Sequence, residues 1–167
     1  PTLLTLDLAL LVELPSPVRV VVLGRLQVLL PSQAHPLVQI RMDALGVLDV
    51  SAETVSLDAT LYDSKILQFP LTGDMALRAG WGRQPQFVLA IGGFHPRFAP
   101  PPGLPALQRL ALQLPDGDSL QLRCQAYLAV TSNTVQFGAR VDLHAAGGGF
   151  SFDGMLGFDA ILQLAPL

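Results

Sequence analysis

Leu4-Thr5-Leu6-Asp7-Leu8-Ala9-Leu10-Leu11-Val12-Glu13-Leu14 decides the fold class. Leu4, Leu6, Leu8, Leu10, Val12 and Leu14 share one parity, and Thr5, Asp7, Ala9 and Glu13 share the other. Successive side chains of an extended strand point to opposite faces, so this period of two gives one oily face and one mostly wet face. The first run ends at Pro15-Ser16-Pro17, because proline donates nothing to a ladder and restricts the residue before it.

The same alternation recurs along almost the whole chain. Val18, Val20, Val22, Leu26, Val28 and Leu30 alternate with Arg19, Arg25 and Gln27. Val38, Ile40, Met42, Ala44, Leu48 and Val50 alternate with Gln39, Arg41, Asp43 and Asp49. Val55 to Leu61 and Leu67 to Leu77 read as a hairpin around Asp63-Ser64-Lys65. Further runs cover Phe87 to Phe94, Leu104 to Leu114, Leu120 to Val130, Val135 to Leu143 and Phe150 to Leu164. Asp116-Gly117, Ser132-Asn133-Thr134 and Gly147 to Gly149 mark turns between them. Pro105 to Leu114 also has the spacing of a short amphipathic helix.

The expected architecture is therefore all-β, a meander of roughly ten long antiparallel strands, either a sandwich or a strongly curved sheet forming a groove. Leu8, Leu26, Ile40, Leu57, Leu71, Leu89, Leu122, Phe137, Phe152 and Phe158 are expected on its inner face. Were that face a groove, the same ten residues would touch an apolar ligand. Gly24, Gly46, Gly73, Gly138, Gly154 and Gly157 mark places for bulges and bends.

The chain has 167 residues, enough for a single β domain spanning 1–167 with its own core. It begins at Pro1 and enters a strand at once, which predicts a piece of a longer polypeptide. Hydrophobic residues make up 50% and charged residues 14%, against a usual charged share of roughly 25%. A surface this poor in charge implies that some of the oily face is covered, within the chain or by something else. A net charge of −3 and only ten basic residues, one of them lysine (Lys65), leave no basic footprint for nucleic acid. Val18 to Leu30 is interrupted by Arg19, Arg25 and Gln27 and is not a helical membrane span. Trp81 and two tyrosines are too few for the aromatic girdles of a membrane barrel.

Chemistry-bearing residues are sparse. His35, His95 and His144 lie far apart without a second ligand at metal spacing and read as loop histidines, so no metal site is expected. Cys124 sits at an apolar position between Leu122 and Ala126 and reads as a buried, inert thiol. Asp7, Asp43, Asp58, Asp142 and Asp159 fall on wet positions of strands. Asp116-Gly117-Asp118 lacks the later oxygen ligands of a calcium loop. The glycine pairs lack the strand-to-helix setting of a phosphate cradle. No catalytic residue and no cofactor are assigned, and the chain is expected not to be an enzyme.

One segment has two readings. Gly92-Gly93-Phe94-His95-Pro96-Arg97-Phe98, ahead of the proline stretch to Pro105, reads as a recognition loop presenting Phe94, His95, Arg97 and Phe98. The preferred reading makes it a strap whose Phe94 and Phe98 plug one end of the oily face.

Leu14-Pro15-Ser16-Pro17-Val18-Arg19, Leu61-Tyr62-Asp63-Ser64, Leu71-Thr72-Gly73-Asp74-Met75, Gly92-Gly93-Phe94-His95-Pro96, Thr131 to Gly138 and Gly157-Phe158-Asp159-Ala160 carry a resemblance. They are similar to segments of an uncharacterised β-rich domain of unknown function in large actinobacterial, and some fungal, proteins. The likeness spans nearly the whole chain and implies membership of a larger protein but no activity. Two functions are expected from these readings. The first is a non-enzymatic β scaffold whose partners are flanking domains of the same polypeptide or other subunits. The second is binding or transfer of a hydrophobic ligand, a lipid, through an apolar β groove.

Overall fold

The computed structural model describes residues 3–83, 85–114, 117 and 119–164. It is all-β among the described residues, with twelve antiparallel strands in one sheet. These are β1 (Leu3–Glu13), β2 (Arg19–Leu30), β3 (Val38–Asp49), β4 (Thr54–Leu61), β5 (Ser64–Ile66) and β6 (Phe69–Thr72). They continue as β7 (Asp74–Gly80), β8 (Gln86–Ile91), β9 (Leu110–Gln113), β10 (Leu120–Thr131), β11 (Thr134–Gly147) and β12 (Phe150–Gln163).

The twelve strands occupy nine rows, because three rows are broken in the middle. β4 and β5 pair with the same edge of β3, at Met42↔Leu61 and then Gln39↔Lys65, so they form one row interrupted by a bulge at Tyr62-Asp63. β6 and β7 form the next row, interrupted at Gly73. β8 and β9 pair with the same edge of β10, at Leu128↔Ile91 and Ala126↔Leu110, with residues 92–109 looping out between them. The result is an uninterrupted up-and-down meander from β1 to β12.

Local chemistry explains the breaks. The hairpin expected around Asp63-Ser64-Lys65 does not turn there. Ser64 is buried, its Oγ accepts from the Arg41 N–H and lies within hydrogen-bond distance of the Arg41 and Tyr62 carbonyls, and this pins a bulge instead. The chain reverses later, at Leu67 with φ of 58°, between β5 and β6. A Cβ at Gly73 (φ 153°) would lie 2.9 Å from the Leu110 Cα, which restricts that break to glycine. Leu104 to Leu114 is extended only over β9, and Pro105 to Leu114 makes no helix. Asp116 and Asp118 of the expected turn lie outside the described residues, while Gly117 bridges to Leu120.

The registers carry each face straight across the sheet. One row of neighbours runs Leu8, Gly24, Ala44, Ala59, Met75, Ile91, Leu128, Phe137, Ala160. On the opposite face the adjacent row runs Ala9, Leu23, Leu45, Asp58, Ala76, Ala90, Ala129, Gln136, Ile161. The second face is wet at its wings through cross-strand ion pairs, with Arg19 between Glu13 and Asp49 and Arg25 opposite Asp7 and Asp43.

Candidate functional site

The first face is apolar from edge to edge. All ten residues expected to share a face do so by register, from Leu8 on β1 to Phe158 on β12. Among the described strand residues this face carries no charged side chain, and Ser64 is its one hydroxyl. Nine rows at about 4.8 Å and strands of some twelve residues at about 3.3 Å give a surface on the order of 1,500 Å². That is several times the apolar patch of an ordinary soluble monomer.

The expectation that these ten are interior needs correction. Leu26, Ile40, Leu57, Leu71, Leu89 and Leu122 are half-buried against their neighbours. Leu8 is 59% exposed, and Phe137, Phe152 and Phe158 are exposed as well. The physical reason is that the strands make a single sheet, so among the described residues the side chains on this face are shielded by one another and not by a second layer. Leu4, Leu6 and Leu10 on β1 and Leu156 and Leu162 on β12 are more than half exposed on the same side. Cys124 also lies here, half-buried rather than buried.

The opposite face holds the small core. Val88, Ala90, Phe94 and Ala129 are buried together, with Phe98, Leu104 and Leu107 packed against them. Residues 92–109 are therefore a strap across this face, and they do not plug the oily one. Phe94 and His95 are buried, Phe98 stacks on Phe94 at 5.5 Å, and Arg97 alone of the four candidate recognition residues is exposed. The apolar rings turn inward because the sheet beneath them is lined with alanines, which leave room for aromatic side chains.

Polar groups hold the strap at both ends. The His95 N–H donates to the Gln136 Oε1 at 3.0 Å, and the Gln136 Nε2 donates to the Thr134 hydroxyl at 2.9 Å. Gln136 is completely buried, so every one of these bonds is sheltered from water. The His95 Nδ1 accepts from the Arg97 N–H at 3.1 Å, which leaves that nitrogen without a proton. At the other end Arg109 donates to the Gly92 and Phe94 carbonyls at 2.9 and 2.7 Å, and its guanidinium lies 4.0 Å above the Tyr127 ring. The Tyr127 hydroxyl donates to the Asp159 Oδ1 at 2.9 Å, spanning β11. Burial, then the hydrogen bond and charge of Asp159, push the Tyr127 phenol up to about 12.

Beside this stack is a half-open cleft of about 390 Å³, lined by Pro96, Arg109, Gln125, Tyr127, Arg140 and Asp159 among others. Its charged groups are already engaged: Arg140 pairs with Asp142 at 2.7 Å, and Arg109 and Asp159 bond as described. His144 lies on β11 and pairs with Asp153, a strand position rather than the expected loop. His35 is an exposed loop residue. No group of three or more His, Cys, Asp or Glu side chains among the described residues is placed to hold a metal ion. Sequence reasoning missed Arg109, Tyr127 and Gln136: Tyr127 and Gln136 are ordinary wet-position residues until the strap is laid over them, and Arg109 is the strap's own last residue, whose partners Gly92 and Phe94 lie at its far end.

The model of a Family of unknown function (DUF6603) matches residues 1–167, the whole chain. No curated protein and no solved structure matches it.

Proposed function

We propose that this chain, which belongs to the family of unknown function DUF6603, is a non-enzymatic β module whose working surface is its apolar face. It serves as one wall of a larger protein or assembly. The observation that carries this reading is the nine-row face, which among the described strand residues carries no charged side chain and has many of its large apolar side chains exposed. Covering it returns roughly 25 cal/mol per Å² of apolar surface, a strong drive for anything complementary to settle there.

A second reading, acyl chains of a lipid as the cover, is favoured by the chemical uniformity of the face. Protein interfaces carry about one hydrogen bond per 100–200 Å², and here Ser64 spends its hydroxyl on the sheet itself. Native mass spectrometry of the purified chain separates the two. A lipid-free closed oligomer or polymer supports the wall, lipid in fixed stoichiometry supports the acyl-chain reading, and a bare monomer at high concentration contradicts both.

A further inference from the structure

β1 and β12 are paired on one side only among the described residues. They are 11 and 14 residues long, and their registers with β2 and β11 run without a bulge. Natural sheets blunt such edges with short strands, lysine, proline or bulges, since an open row of N–H and C=O groups invites another strand. Neither β1 nor β12 contains a lysine, an arginine or a proline. The apolar face also continues undiminished to both edges, ending in side chains such as Leu6 and Leu156. These edges have the character of interior strands left without a neighbour.

Charge indicates which neighbour they accept. The charged residues on the wet side of β1 are Asp7 and Glu13, and those on β12 are Asp153, which pairs with His144, and Asp159, which accepts from the Tyr127 hydroxyl. Inside the molecule the same acidic strand is satisfied by β2, whose Arg19 and Arg25 stand opposite Glu13 and Asp7. Two copies of this chain meeting edge to edge bring only carboxylates together, which costs stability across a sheet. We infer that both edges accept a strand from a partner in which aliphatic residues alternate with arginine or lysine, so that the sheet and its apolar face extend beyond nine rows. This goes beyond the wall reading, and it stands whether protein or lipid covers the face.

The test uses fluorescein-labelled ten-residue peptides alternating valine with arginine, and valine with glutamate, titrated against the intact chain in fluorescence anisotropy at low salt. The arginine peptide is expected to bind at least about tenfold more tightly, a difference worth about 1.4 kcal/mol. Hydrogen exchange in its presence is expected to slow in β1 or β12 and not elsewhere. Asp7→Lys with Glu13→Lys on one edge, or Asp153→Lys on the other, is expected to erase the preference at that edge. Equal binding of both peptides, binding of neither, protection away from the edges, or salt-independent self-association through them would overturn the inference. The wild-type peptide comparison decides the matter even where a lysine variant fails to fold.

Discussion

Tyr127 stands directly opposite Gly138 across the β10–β11 pairing, and its ring fills the space that a side chain at 138 would need. A Cβ there would lie 2.5 Å from the tyrosine Cε1 and 2.7 Å from the Asp159 Oδ1. The glycine is thus the socket of the stack that runs from Arg109 through Tyr127 to Asp159 and ties the strap to three strands. Gly138→Ala is expected to destabilise the chain by about 2 kcal/mol through overpacking. In a Tyr127→Ala background part of that penalty disappears, because the two residues share one space. Urea unfolding of the single and double variants measures both terms.

Gln136→Leu keeps the volume but leaves the buried His95 N–H without its acceptor and Thr134 without its donor. A buried polar group left unpaired costs roughly 1–3 kcal/mol. The expected outcome is a loss of that size in chemical unfolding, with faster tryptic cleavage at Arg97 as the strap loosens.

Tyr127 is held neutral in the fold, with its phenol raised from 10.0 to about 12. A raised acid favours the folded state while it is protonated, so the stability it lends is present below the ordinary tyrosine value. That stability is lost as pH rises from about 10 toward 12. Thermal unfolding followed across this window is expected to fall steeply in the wild type and less in Tyr127→Phe.

Asp49 behaves in the opposite sense. The Ala52 backbone N–H, and then the Arg19 guanidinium, hold its carboxyl below the usual carboxylate range. Its stabilisation is present above about pH 3.9 and disappears as pH falls through the lowered folded value. Asp49→Asn is expected to flatten the acid limb of the stability profile while leaving the neutral plateau lower.

The all-β meander and its facial segregation are legible because an extended strand has an integral period, so Leu8, Leu57 and Phe158 reveal a common face without knowledge of their neighbours. What is not legible is where a row breaks. Ser64 looks like a turn residue, and only its burial between the Arg41 and Tyr62 carbonyls converts the turn to a bulge. Phe94 and Phe98 look like presented aromatics until the alanine bed of Ala90 and Ala129 is laid beneath them. The exposure of Phe152 and Phe158 is hidden for a different reason: alternation fixes which residues share a face but says nothing about what lies over it.

Met155 and Leu156 are neighbours on β12, similarly exposed at 64% and 76%, yet they point to the wet and the apolar face respectively. Native mass spectrometry of Met155→Asp and Leu156→Asp, with circular dichroism to verify the fold, isolates the apolar face from every other property of the edge. The expected result is that Leu156→Asp stays folded and loses the oligomer or bound lipid of the wild type, while Met155→Asp keeps it. Equal behaviour of the two variants, or a wild-type chain that flies as a bare monomer, would contradict the account.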